Sequence, residues 1–310
     1  MVYNFLKEHQ PPARGRRLQG SCQQRQGNVM HQMVYLFTIW CRIVVRFLML
    51  TCKRCGKVEK LGKSHIIPEA FFRELREDKE MPLLVSGAYG ELEKKAPIGV
   101  YDSQILCKSC EAQFSAIDSF GIDVLLKQYE KHFQPMVQHG KTVGFESTSV
   151  DKARLLQFLI AVLWRASVSE EHFYRHVELG PHETTAQEIA FSPKTPSSFG
   201  VFDALLSRWR DEQELGLVAY PLFDPRREKW PGGVNAYRLY FGEIVAYIKV
   251  DSRPFQPPLS SMSLLRSPTL KVVSRNIGTS KDFRAMVNTA TKSHRNTFQF
   301  RSSHSRAKET

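Results

Sequence analysis

The clearest periodic signal in the chain lies at residues 151–168. Leu155, Phe158, Leu159, Val162 and Leu163 recur there at the spacing of one helical face, which predicts a buried amphipathic helix. Trp164 and Arg165 widen its stripe, a pattern read as core packing. Further on the period changes to two. Residues 237–241 (YRLYF) and 244–250 (IVAYIKV) flank Gly242-Glu243 and predict a hairpin with a two-residue loop. Residues 217–223 and 270–273 are expected as further strands. Ser280 is placed to cap a last helix carrying Phe283, Met286 and Val287, and beyond about Lys292 the polar, basic chain is expected to lack structure. Nearer the start, Pro68 opens an expected helix through Glu69, Phe72 and Leu75. Residues 82–99, with Ser86-Gly87 and Tyr89-Gly90, predict a loop or hairpin. A helix follows from about Glu111, with Phe114 and Ile117 on one side and Gly121 as a candidate interruption.

Mixed periods of this kind point to an α+β protein, and 310 residues are enough to bury a substantial core. Hydrophobic residues make up 42% and charged residues 24%, which excludes wholesale disorder. The formal charge of +13 suggests a polyanionic partner until its location is considered. Residues 1–48 carry a net +6 and the last twenty a net +4, so only +3 remains for residues 49–290. Residues 34–50 form an apolar run of nearly membrane-spanning size, but Arg42 and Arg46 interrupt it. Each arginine near a bilayer centre costs roughly 2.5–3.5 kcal/mol on insertion scales, so no stable membrane span is expected. A signal peptide fits poorly as well. Residues 1–48 are therefore expected to be a disordered or mis-assigned extension, with translation starting near Met49; Cys22 and Cys41 in it receive no role.

The chemistry is concentrated in four cysteines in two pairs, Cys52-x-x-Cys55 and Cys107-x-x-Cys110. Two thiolates three positions apart can grip one metal ion from a tight turn, and two such turns supply a closed tetrahedral zinc site. Between the pairs lies Ser64-His65-Ile66-Ile67-Pro68, and His65 is the one histidine in that interval. A Cys₄ zinc site belongs in a reducing compartment, which makes the cytoplasm the expected location. Lys53, Arg54, Lys57, Lys60 and Lys63 gather on the same segment against Glu59 alone, a basic patch suited to phosphates. His172 and His176 stand one helical turn apart, but Phe173 replaces the glutamate of a zincin motif, and they are read as surface histidines.

These motifs resemble the HNH class of ββα-metal nucleases over about residues 50–131. The resemblance implies a zinc-stapled ββα domain at 49–132; the residue patterns beyond it predict a mixed helical and antiparallel-β region at 150–290 and a basic disordered tail at 291–310. It implies that the Cys₄ zinc is structural and that His65 is the general base. The family's asparagine before the third cysteine falls on Asp102, and its metal ligand after the fourth cysteine falls on Glu111. Its aspartate before the histidine falls on Ser64. Glu111 is a competent oxygen ligand for Mg²⁺ or Mn²⁺, and Asp118, seven residues on, is a candidate second carboxylate, with Glu69 another. Asp102 can accept a hydrogen bond where asparagine would but cannot donate one.

The activity implied is hydrolysis of a nucleic-acid phosphodiester, with DNA the more expected substrate and the lysine-arginine patch holding the backbone. The alternatives are a non-catalytic zinc module that binds nucleic acid, the altered Asp102–Glu111 pair marking lost activity, and an interaction protein working through its C-terminal half.

Overall fold

The computed structural model describes residues 50–73, 83–84, 94–96, 98–210 and 223–306, all within one compact unit, Leu50–Thr310. Cys22, Cys41, Leu75, the glycine turns at 87 and 90 and the strand expected from residue 217 to 222 lie outside the described residues.

After the first cysteine turn the chain forms β1 (Ser64–His65) and α1 (Ala70–Arg73). A short antiparallel pair, β2 (Leu83–Leu84) with β3 (Lys94–Lys95), precedes β4 (Tyr101–Asp102). β4 pairs antiparallel with β1, setting Ser64 opposite Asp102 and His65 opposite Tyr101. A nearly continuous helical rod follows: α2 (Lys108–Glu111), a 3₁₀ turn (Ala112–Phe114), α3 (Ser115–Ile122), a π segment (Asp123–Lys127) and α4 (Tyr129–His132). Gly121 does not interrupt it. An added Cβ at Gly121 would meet the Phe158 ring at 2.6 Å, so the missing side chain lets α3 approach the next helix closely.

That next helix, α5 (Lys152–Val168), starts where the sequence reading placed it, with the Asp151 carboxylate accepting the backbone N–H of Arg154 at 3.0 Å. Its burial goes beyond one stripe. Every residue from Leu155 to Ala166 is buried, because α3, α6 (Glu183–Ala190) and a sheet enclose it. Gln157 tolerates this by donating to the carbonyls of Ile189 and Ser192 at 3.0 and 2.9 Å.

The sheet has seven strands: β5 (Gln134–Gln138), β6 (Lys141–Ser147), β7 (Phe202–Arg210), β8 (Arg226–Trp230), β9 (Val234–Phe241), β10 (Ile244–Val250) and β11 (Leu270–Asn276). Their order is β5-β6-β11-β7-β10-β9-β8. The expected β9–β10 hairpin is present, closed at Gly242 with φ of +66°. The expectation of an antiparallel C-terminal sheet holds for the other pairs and is corrected at one: β11 runs parallel to β7. Residues 251–269 carry the chain across the sheet, so β11 enters between β6 and β7 and joins the β5–β6 hairpin to the later strands. Phe202, Ala204 and Leu206 join the α5 core, while Leu205, Trp209, Val245 and Tyr247 form a second core on the other face with Phe255, Ile277 and Met286. Both faces of β7 and β10 are thus covered, which explains their nearly continuous apolar runs.

The last helix, α7 (Lys281–Arg306), opens on the Ser280 cap and runs past Lys292, where the sequence reading ended ordered structure. Within it the Thr291 and Thr297 hydroxyls donate to carbonyls four residues earlier.

Gly121→Ala tests the packing of α3 on α5. The alanine improves helix propensity by up to about 1 kcal/mol, but overpacking costs about 1–3 kcal/mol against a buried ring. The expected result is a lower melting temperature; an increase would show that the Phe158 ring yields freely.

Candidate functional site

The four cysteines converge. Their sulfurs all lie within 4.8 Å of one another, and Cys55 and Cys107 are 3.9 Å apart. Zn–S bonds of about 2.3 Å in a tetrahedron require sulfur separations of about 3.8 Å, so the four thiols can hold a zinc ion with small adjustment. Among the described residues no other three histidine, cysteine or acidic side chains gather in this way.

The site is built by backbone geometry on both sides. Cys52 starts a turn in which the N–H of Gly56 donates to its carbonyl at 2.9 Å, and Gly56 takes a φ of +71° that suits glycine. The Lys53 N–H donates to the Ile105 carbonyl at 2.8 Å, and Leu61 bridges to Cys107, so backbone contacts as well as the cysteines join the two segments. Cys107 stands at the N-cap position of α2 and Cys110 lies in its first turn. Burial raises the Cys52 pKa, but backbone N–H groups of Cys107, Cys55 and Arg54 outweigh it and bring the thiol down to about 7. Burial and the neighbouring sulfurs push Cys110 up instead. One thiol of the set is thus ready to ionise, and a dication would draw the protons from the rest.

β1, β4 and α2 arrange the other candidates beside this centre. His65 ends β1, partly exposed, with its ring edge-on to Tyr101 at 5.8 Å. Its Nε2 is covered and has no hydrogen-bond partner. Burial lowers its pKa; the charges of Arg165 and Lys63 add to this, and those of Glu69 and Asp118 oppose it. The balance favours the neutral imidazole. Ser64, fully buried, donates to the Glu111 carboxylate across the gap between β1 and α2. Burial raises the Glu111 pKa, with the Ser64 hydrogen bond and Arg165 opposing it.

The remaining candidates have other partners. Asp102 accepts from the Gln104 N–H at 2.7 Å, the Ser169 hydroxyl at 2.8 Å and the Glu170 N–H at 3.0 Å, tying β4 to the end of α5. Asp118 is taken up by Arg165 in a two-pronged ion pair of 2.6 and 2.8 Å. Glu69 pairs with Arg73 at 2.8 Å. Lys53, Arg54, Lys57, Lys60 and Lys63 are all exposed on the first cysteine segment; Lys63 lies over the Tyr101 ring at 4.8 Å and Lys53 faces Glu170 at 3.7 Å. His172 and His176 are exposed on and after a 3₁₀ turn, as the sequence reading had them.

The residue that sequence reasoning missed is Arg165. Its side chain is fully buried, and besides Asp118 it donates to the His65 carbonyl at 2.9 Å. Its guanidinium lies over the Phe114 ring at 4.5 Å. The signal was available: an arginine within an apolar stripe needs a buried acceptor, and Asp118 was already a candidate carboxylate.

The chain matches no family model, and comparison with curated proteins and with solved structures finds no match either. None of the helices among the described residues is long and apolar enough to cross a membrane.

Two outcomes are expected here. Purified protein should carry about one zinc per chain by elemental analysis, lost in Cys52→Ser and Cys107→Ser, and a chelator should lower its melting temperature. A metal-free protein whose stability ignores chelators would defeat the zinc assignment. Arg165→Met should destabilise the fold by up to about 3 kcal/mol in urea unfolding, because half-buried Asp118 and the His65 carbonyl lose their donor. The double variant Arg165→Met/Asp118→Asn should recover part of that loss.

Proposed function

We propose that the chain is a metal-dependent, HNH-like endonuclease that hydrolyses nucleic-acid phosphodiester bonds, with a structural zinc at the four cysteines and His65 as general base. One observation carries this reading. A strand–strand–helix unit sets a neutral histidine at the end of β1 while its neighbour Ser64 bonds Glu111 in the first turn of the helix that also bears Cys107 and Cys110. Neutrality matters because a base must be unprotonated at working pH; the covered Nε2 has no hydrogen-bond partner among the described residues, and a base role requires substrate water to reach it.

The step assigned to His65 is uptake of a proton from water as its oxygen attacks phosphorus in line; the bond to the leaving oxygen breaks on the opposite side. Glu111 is the residue assigned to hold Mg²⁺ or Mn²⁺, which supplies stabilisation of the charge that develops on the leaving oxygen. The exposed cations of the first cysteine segment hold the substrate backbone without reading bases, and DNA is the substrate proposed first. Arg165 fixes the His65 backbone from behind through its carbonyl.

A second reading, a zinc module that binds nucleic acid without cleaving it, draws support from two features. The His65 Nε2 is covered, and Asp118 is engaged by Arg165. Plasmid cleavage with Mg²⁺ or Mn²⁺ separates the two. Under the endonuclease reading, His65→Ala abolishes nicking while zinc content stays unchanged, and Glu111→Ala raises the divalent-ion requirement. The pH profile gives a further check. The His65 pKa lies below its usual 6.5, so the rate should fall only on the acid side of that value and be independent of this group above it. Binding without cleavage by the unmodified chain would favour the second reading, and an acid limb above pH 6.5 would remove His65 as the base.

A further inference from the structure

On the sheet face opposite α5, between β7–β10–β9, the start of α7 and the 3₁₀ turn Leu259–Met262, lies an open cavity of about 790 Å³. We propose that it is a binding site for a nucleoside monophosphate, an assignment that does not depend on the endonuclease reading.

Size comes first. The volume lies within the range of small-molecule sites and far exceeds what a metal ion or lone phosphate needs. The walls are suited to a flat ring. Trp230 stands edge-on to Tyr247 at 4.9 Å and to Phe255 at 5.8 Å, and Leu259 and Met262 face the same space.

The polar lining narrows the chemistry further. Arg238 pairs with Glu228 at 3.0 Å and with Asp282, and Arg275 stands 3.6 Å from the second oxygen of Asp282. Arg275 also donates to the Tyr247 hydroxyl and lies over the Trp209 ring at 4.8 Å. Cation and carboxylate thus alternate in one lining, offering donors and acceptors side by side, as the edge of a nucleobase requires. Two carboxylates disfavour a fatty acid or a polyanion. With the exposed Lys281 the charged lining sums to +1, net attractive to one phosphate group of about −1.5 to −2. Polar groups here are also unusually deep: Arg238 and Asp282 are 8% and 5% exposed, and the Arg238 Nε and one Asp282 oxygen make no hydrogen bond. Satisfying such groups is a reason for a polar ligand to prefer this site over water.

The test is isothermal titration calorimetry of the full chain with adenosine monophosphate, uridine monophosphate, adenosine and inorganic phosphate. Saturable binding of at least one nucleoside monophosphate is expected, with phosphate alone giving none. Trp230→Ala, which removes a wall, and Met262→Trp, which fills the space from a partly exposed turn, should each weaken binding at least tenfold. Lys281→Gln, on the exposed first turn of α7, should weaken the monophosphate about three- to tenfold and leave adenosine unchanged. His65→Ala should bind normally, so loss of nuclease activity and loss of this site are distinguishable. Absence of saturable binding of both monophosphates would overturn the proposal, whatever adenosine or phosphate does, as would binding that Met262→Trp leaves intact.

Discussion

The buried guanidinium of Arg165 is the interaction on which the candidate site depends. An unpaired arginine cannot remain in an apolar core, and this one sits on a helix buried at every position from Leu155 to Ala166. Its donors are satisfied by Asp118 on α3, the His65 carbonyl at the end of β1 and the Ala161 carbonyl on its own helix. Three elements are thereby locked at one point. α5 cannot rotate, α3 cannot slide and the backbone of His65 cannot move without exposing a buried charge. The same arrangement removes Asp118 from the free carboxylates, while Glu111 is held by Ser64, the neighbour of His65 in the chain.

The four-cysteine centre acts from the other side of the same unit. It joins the segment before β1 to the start of α2, with backbone hydrogen bonds from Lys53 to Ile105 and from Gly62 to Leu106 reinforcing the junction. Gln187 on α6 adds a further tie by donating to the Lys53 carbonyl at 3.1 Å. A dication held there would cross-link segments more than fifty residues apart. It would do so at the helix end that carries Glu111, so the metal centre and the histidine site share one piece of scaffold.

The seven-stranded sheet separates two environments. One face rests on α5 and continues into the core beneath the cysteine centre, while the other supports a smaller core and the cavity lined by Trp230, Arg238, Arg275 and Asp282. Because side chains alternate along a strand, β7 sends Leu206 to one core and Leu205 to the other. Any ligand in the cavity therefore lies across the sheet from the α5 core.

Local pattern was enough to read α5 with its cap, the β9–β10 hairpin, the cysteine turns and the clustering of four thiols, since each rests on contacts within a few residues or on an unmistakable ligand spacing. The β5–β6 hairpin was missed although its turn was visible in His139-Gly140, both of which take positive φ. The strand at Phe202–Arg210 was missed because a strand buried on both faces loses its period of two. What the tertiary structure alone decided was the pairing of distant groups. The parallel entry of β11 beside β7, the Arg165–Asp118 pair and the turning of Asp102 toward Ser169 and Glu170 all join residues tens of positions apart. Sequence determined which residues were able to ionise, bind metal or bury themselves. Which partner each met was decided by packing, because a buried charge takes whichever counter-charge the fold carries within reach.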